Sequence, residues 1–182
     1  MKTATIVKTM FDFLKGCGVN ASFKWKQEHY VKDKVSGASV YAQQIADPVY
    51  GRTFTNYGET ITEEDGEQIV EIWEDSSQYF LTTIQVDTYI PYNTTNAVEM
   101  DSREMARKLK TLLQSMAFAE YLQSIDKSAG IRQISNVRDI QQQDESNRWE
   151  TVGSFDVVIS HCQTERITSA KVTRTEYHKL IV

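Results

Sequence analysis

Apolar residues near the start of the chain recur with a helical period. Ile6, Met10, Phe13 and Leu14 share one face, with Val7 and Phe11 beside them, and Gly16 and Gly18 are natural stops. A second helix is predicted from Asp101. Asp101 is a good N-cap, and Glu104 three residues on completes a capping box. Met105, Leu109, Leu112, Leu113 and Met116 then follow at spacings of three and four, while Arg103, Arg107, Lys108 and Lys110 take the opposite face. Ala117 to Leu122 continues as a short helical piece, and Gly130 is expected to end it.

Elsewhere the period is two. Phe23 to Gln27 and Ser39 to Ile45 alternate weakly, within a stretch punctuated by Gly37, Pro48, Gly51 and Gly58. Asp65-Gly66 is a two-residue hairpin turn between 59–64 and 67–73, and Ser76-Ser77 is read as a second turn. Tyr79 to Ile90 is the clearest strand, with Phe80, Ile84, Val86 and Ile90 on one face. Ile131 to Ile140 and Ser154 to Cys162 are two more. In the last of these Phe155, Val157 and Ile159 point one way and Ser154, Asp156 and Ser160 the other. Ile167, Val172 and Tyr177 suggest a further extended piece in the Thr-rich tail.

Striped helices beside one-sided strands make a two-layer core. The expected fold class is therefore α+β, a mostly antiparallel sheet packed with two or three helices. A length of 182 residues suits a single domain with arms or loops at 32–57 and 163–182.

Charge changes this picture in one respect. The net charge of −5 argues against a general nucleic-acid binder. Yet no Lys or Arg occurs from Thr53 to Ser102, a span holding eleven acids, so the remaining chain has 20 basic and 14 acidic residues. One surface should be acidic and another basic. No run approaches the roughly 20 apolar residues of a membrane span. Cys17 and Cys162 lack metal-like spacing and read as reduced thiols, with a bridge as the open alternative.

The candidate chemistry is thin. His161-Cys162 suggests a base and nucleophile, but neighbours on a strand point to opposite faces. His29 and His178 stand alone, outside any H-x₃-H or C-x₂-C pattern, so neither a metal nor a cofactor is expected. Glu63, Glu64 and Asp65 read as a solvated hairpin tip rather than a calcium loop. Trp149 either stacks on a partner or packs the loop before its strand. Arg132 and Arg138 lie on a strand with a wet face. No catalytic set emerges, and an enzyme is not expected.

Three runs carry a resemblance: LLQSMAFAEYLQS, GIRQISNVRDI and SNRWETVGSFDVVIS. Together, over 106–162, they resemble the C-terminal half of the phage neck terminator family, related in role to tail terminator proteins. Leu113, Ser115, Phe118 and Leu122 match its helix, and Val137, Arg138 and Asp139 the strand that follows. Arg148, Trp149 and Glu150 match the loop, and Phe155, Asp156 and Val157 the last strand. The first sixty residues match poorly.

The resemblance implies a virion protein, assembled in the host cytoplasm into a homo-oligomeric ring, a hexamer. Such a ring caps the head-proximal end of the tail tube and joins it to a neck or head-completion connector, with a sheath as a further neighbour. DNA passes through the lumen without being read, and no membrane is involved. On this reading Glu63, Glu64, Asp65 and Glu67 face the lumen or a neighbouring copy. Arg138, Asp139, Arg148 and Glu150 orient the loop between the last strands, with Trp149 beside them. Another connector of the same particle is the nearest alternative, and a soluble binding module unrelated to phage the more distant one.

Overall fold

The computed structural model describes residues 2–25, 37–64, 67–90, 101–143 and 149–173. The side chains of Glu64, Gln142, Gln143, Trp149, Glu150 and 169–173 are outside that description. In chain order the elements are α1 (Thr3–Gly16), β1 (Ser22–Trp25), β2 (Ser39–Ala46), β3 (Val49–Glu64), β4 (Glu67–Tyr89), α2 (Ser102–Leu113), α3 (Met116–Ile125), β5 (Gly130–Ile134), β6 (Arg138–Gln143) and β7 (Trp149–Thr173). The fold is α+β, with three helices and a seven-stranded, mostly antiparallel sheet. The strand order is β1-β2-β4-β7-β5, with β3 also paired to β4 and β6 to β7; β1 and β2 run parallel.

The chain forms two compact units: 1–48 with 80–161, and 49–79 with 162–182. β4 and β7 contribute to both.

The first unit holds the core. Ile6, Met10 and Leu14 of α1, Leu109 and Leu113 of α2, and Phe118 and Leu122 of α3 are fully buried. They pack with Val40 of β2, Ile84 and Val86 of β4, and Phe155, Val157 and Ile159 of β7. At the start of α2 the Asp101 carboxylate accepts from the Glu104 N–H at 2.7 Å, and Glu104 accepts from the Asp101 N–H, which is the expected capping box. Close packing fixes this helix on the sheet. A Cβ at Gly153 would come within 2.5 Å of the Ser102 carbonyl oxygen. The buried Thr88 hydroxyl lies 2.6 Å from that same carbonyl and 3.0 Å from that of Gly153.

Four local expectations need correction. Met116 is not on the buried stripe of α2 but is 74% exposed. The helix ends at Leu113, and the Ser115 hydroxyl accepts from the Phe118 N–H, so a new helix starts in a new phase. That helix ends at Ile125 rather than at Gly130, which opens β5. The strand predicted over Ile131 to Ile140 is two strands. The Ser135 N–H donates to the Asp156 carbonyl, and the Asp156 N–H to the Ser135 hydroxyl, closing β5 before β6 begins. Finally, Ser76-Ser77 is no turn: both lie inside β4, where the Ser77 and Thr164 hydroxyls bond at 2.8 Å.

The second unit contains β3, Glu67 to Tyr79 of β4, and β7 beyond His161. The Asp65-Gly66 turn itself is outside the described residues, but the paired strands that flank it are present. Val70 alone among the described residues of this unit is buried.

Candidate functional site

A strand presents alternate residues to opposite faces, so a few side-chain contacts assign the faces of the second unit. The Trp73 indole N–H donates to the Thr60 hydroxyl at 3.1 Å, and the Trp73 ring covers Gly58, where a Cβ would collide with it. Arg166 forms a two-pronged ion pair with Asp75, both contacts at 2.7 Å, and its guanidinium sits 4.0 Å above the Trp73 ring. Hydrogen bonding from Arg166 holds the Asp75 carboxyl below the usual carboxylate range. Phe54 meets Tyr79 edge to face, with ring centres 6.2 Å apart. Trp73, Asp75, Ser77 and Tyr79 therefore share one face with Phe54, Gly58, Thr60, Thr164 and Arg166, and the polar groups of Trp73, Asp75 and Ser77 are paired with those of Thr60, Arg166 and Thr164.

The other face is different. Its β3 residues are Thr53, Thr55, Tyr57, Glu59, Ile61 and Glu63. Thr53 donates to Gln78 at 2.6 Å, which puts the even residues of β4 on this side. Glu165 and Ile167 of β7 join them by alternation. Tyr57 is 68%, Ile61 51% and Ile167 57% exposed. Glu59, Glu63 and Glu165 are exposed between them, and no Lys or Arg lies on this face among the described side chains. Val70 and Ile72 of β4 lie on the same side, the first buried and the second half-buried, so the face is apolar and acidic, with its exposed side chains on β3 and β7.

Glu63 is exposed near the end of β3, and Glu67 is exposed at the start of β4. The side chain of Glu64 and all of Asp65 lie outside the described residues. In the first unit, Arg138 opens β6 and grips Asp156 of β7 with two bonds at 3.0 and 2.8 Å. Asp139, on the opposite side of β6, pairs with Arg103 of α2 at 3.0 Å. Arg138 and Asp139 thus tie β6 to two different elements. Arg148 lies outside the described residues. Trp149 and Glu150 are backbone partners of Gln143 and Gln142, and their side chains are outside the description.

One polar cluster has no counterpart in the sequence reasoning. Thr82 donates to Asp47 Oδ1 at 2.5 Å and lies 2.7 Å from His161 Nε2, with the Phe80 ring stacked on the imidazole. The Thr82 hydroxyl has one proton and a carboxylate only accepts, so that proton goes to Asp47 and Nε2–H of His161 donates to Thr82. Nδ1 is left as a bare acceptor, buried and without a partner among the described residues. Burial pushes the imidazole pKa below its ordinary 6.5. The available signal was parity: His161 follows Phe155, Val157 and Ile159 along the buried face of β7.

Cys17 and Cys162 are free thiols, and Cys162 is a half-buried neighbour of His161 on the strand. Among the described residues no group of three or more His, Cys, Asp or Glu is placed to hold a metal ion. No described helix is long and apolar enough to cross a membrane.

The family model of the E217 gateway protein gp29 matches residues 3–171. The chain belongs to this family. It is a family of phage head–tail gateway proteins, so this chain has a structural role at the junction of phage head and tail, as part of the virion. The match takes in α1 to β6 and most of β7, including residues 3–60, which the terminator resemblance covered poorly. No curated protein matches the chain at a significant level. Membership supports a phage neck or connector protein and does not single out a tail terminator.

Proposed function

We propose that this gateway-family protein assembles into a homo-oligomeric ring, a hexamer, at the head-proximal end of the tail tube. The ring joins the tube to the head connector, and DNA passes through its lumen. Membership of a head–tail gateway family over 3–171 is the observation that carries this reading. Two features are consistent with it. Charge is segregated along the chain, which suits head-to-tail contacts between copies. The second unit also has an extended sheet surface with exposed apolar side chains, as assembly surfaces do. In the ring, the acidic stretch of Glu63, Glu64, Asp65 and Glu67 faces the lumen or the neighbouring copy. Arg138, Asp139, Arg148 and Glu150 shape the connection between β6 and β7, with Trp149 placed to meet a neighbour.

The test is the mass of the purified protein in solution, with and without the tail-tube protein. A hexamer, or a monomer that becomes a ring on tube ends, is the expected result. A ring that binds the head connector and ignores tubes would move the assignment to another connector position. A monomer indifferent to both would contradict the proposal.

A further inference from the structure

We infer that the face of the second unit bearing Tyr57, Ile61 and Ile167 docks on α2 of a second copy of this chain. The inference rests on the ring reading and names the two surfaces that meet. The first surface is the apolar and acidic sheet face: Tyr57, Ile61 and Ile167 exposed, with Glu59, Glu63 and Glu165 between them. Tyr57, Ile61 and Ile167 are each more than half exposed, and the charges among the described side chains of this face are of one sign. An occupant must therefore bring apolar surface together with positive charge.

This chain carries such a surface. The outer face of α2 presents Arg103 and Arg107, four apart on one side of the helix, with Lys108 beside them, all exposed. Met116, 74% exposed, opens α3 just beyond the end of that helix. Arg103 already pairs with Asp139, which fixes its guanidinium on that side of the helix while leaving it half exposed. A helix of 12 residues is about 18 Å long, a length that lies along a face of three strands. Packing a helix on a sheet is also how this chain builds its own core.

The two surfaces belong to different parts of the chain, so the contact is heterologous: each copy gives its sheet face to one neighbour and its α2 to another. Contacts of that kind close into a ring when the rotation between copies allows. Tyr57, Ile61 and Ile167 supply the buried anchor, and the glutamates set orientation against Arg107 and Lys108.

The experiment measures assembly of the full chain with tail-tube protein for three variants: Glu59→Lys with Glu63→Lys, Arg107→Glu with Lys108→Glu, and all four together. Each pair alone should weaken assembly at least tenfold, and the fourfold variant should recover most of it. All these side chains are exposed, and an unchanged melting temperature checks the fold. Assembly as tight as wild type in both charge-reversed pairs would overturn the docking surfaces and leave the ring standing. Weakening without recovery would show that these two surfaces do not meet. A wild-type chain that stays monomeric with and without tubes would remove the ring reading, and the inference with it.

Discussion

The two units use the same strands to opposite ends. In the first, β4 and β7 turn Ile84, Val86, Phe155, Val157 and Ile159 toward three helices, and all five side chains are fully buried. In the second, the same strands continue with β3, and Val70 is the only buried described residue. What the second unit has instead is pairing across one face, by Arg166 with Asp75 and Trp73, and exposed Tyr57, Ile61 and Ile167 among glutamates on the other. Strand length and alternation alone do not make a core; a strand face stabilises its own chain only where another layer covers it. The first unit buries its strand faces, and the second leaves most of its side chains exposed or half-exposed.

That contrast can be broken most strongly in the core. Phe118→Ala, at a site with no exposure, should cost about 3–5 kcal/mol, measured by denaturant unfolding. Tyr57→Ala, at a site 68% exposed, should change stability by less than about 0.5 kcal/mol while weakening assembly. Equal stability losses would erase the distinction.

Gly153→Ala tests the seat of α2 on β7. Its new Cβ meets the Ser102 carbonyl and Ala106, so the helix must shift, and a loss of about 1–3 kcal/mol is expected. A neutral result would show that α2 is seated more loosely than these contacts imply.

Thr82→Val removes the hydroxyl that joins Asp47 to His161 and leaves both without that partner. A cost of about 1–3 kcal/mol should appear in thermal or denaturant unfolding. The smallest expected effect is pH dependence. His161 is neutral in the folded chain and its pKa is lowered by burial, so above 6.5 it is neutral in both states and contributes nothing. As pH falls through 6.5 the unfolded chain takes up the proton first, and stability declines until pH reaches the lowered folded value. His161→Gln should flatten unfolding stability between that value and neutral pH. An unchanged slope would place the titration elsewhere.

The first unit was largely legible because burial imposes a period. The stripes of α1 and α2, the Asp101–Glu104 capping box and the inward face of β7 all follow from it. The boundary between α2 and α3 was not, because Leu112 to Met116 keeps a helical apolar spacing and Ser115 reads equally as a helix residue or a cap. The second unit was hidden for the opposite reason. Its strands mix apolar and polar residues on both faces, so no alternation extends past Tyr79 or Cys162, and Ser76-Ser77 has the composition of a turn. The cluster of Asp47, Thr82 and His161 joins residues 35 and 79 positions apart, a convergence that only the sheet pairing produces. The acidic character of 53–102 was plain from the start; that its exposed glutamates share a face with Tyr57, Ile61 and Ile167 required the strand contacts.

Residue-resolved hydrogen exchange, on the dilute protein and on the protein assembled at tube ends, tests the division of labour most directly. The account predicts slow exchange for Phe155 to Ile159 in both states, and for β3 fast exchange in the dilute protein that slows on assembly. A β3 as protected as Phe155 to Ile159 in the dilute protein, and unchanged on assembly, would contradict it.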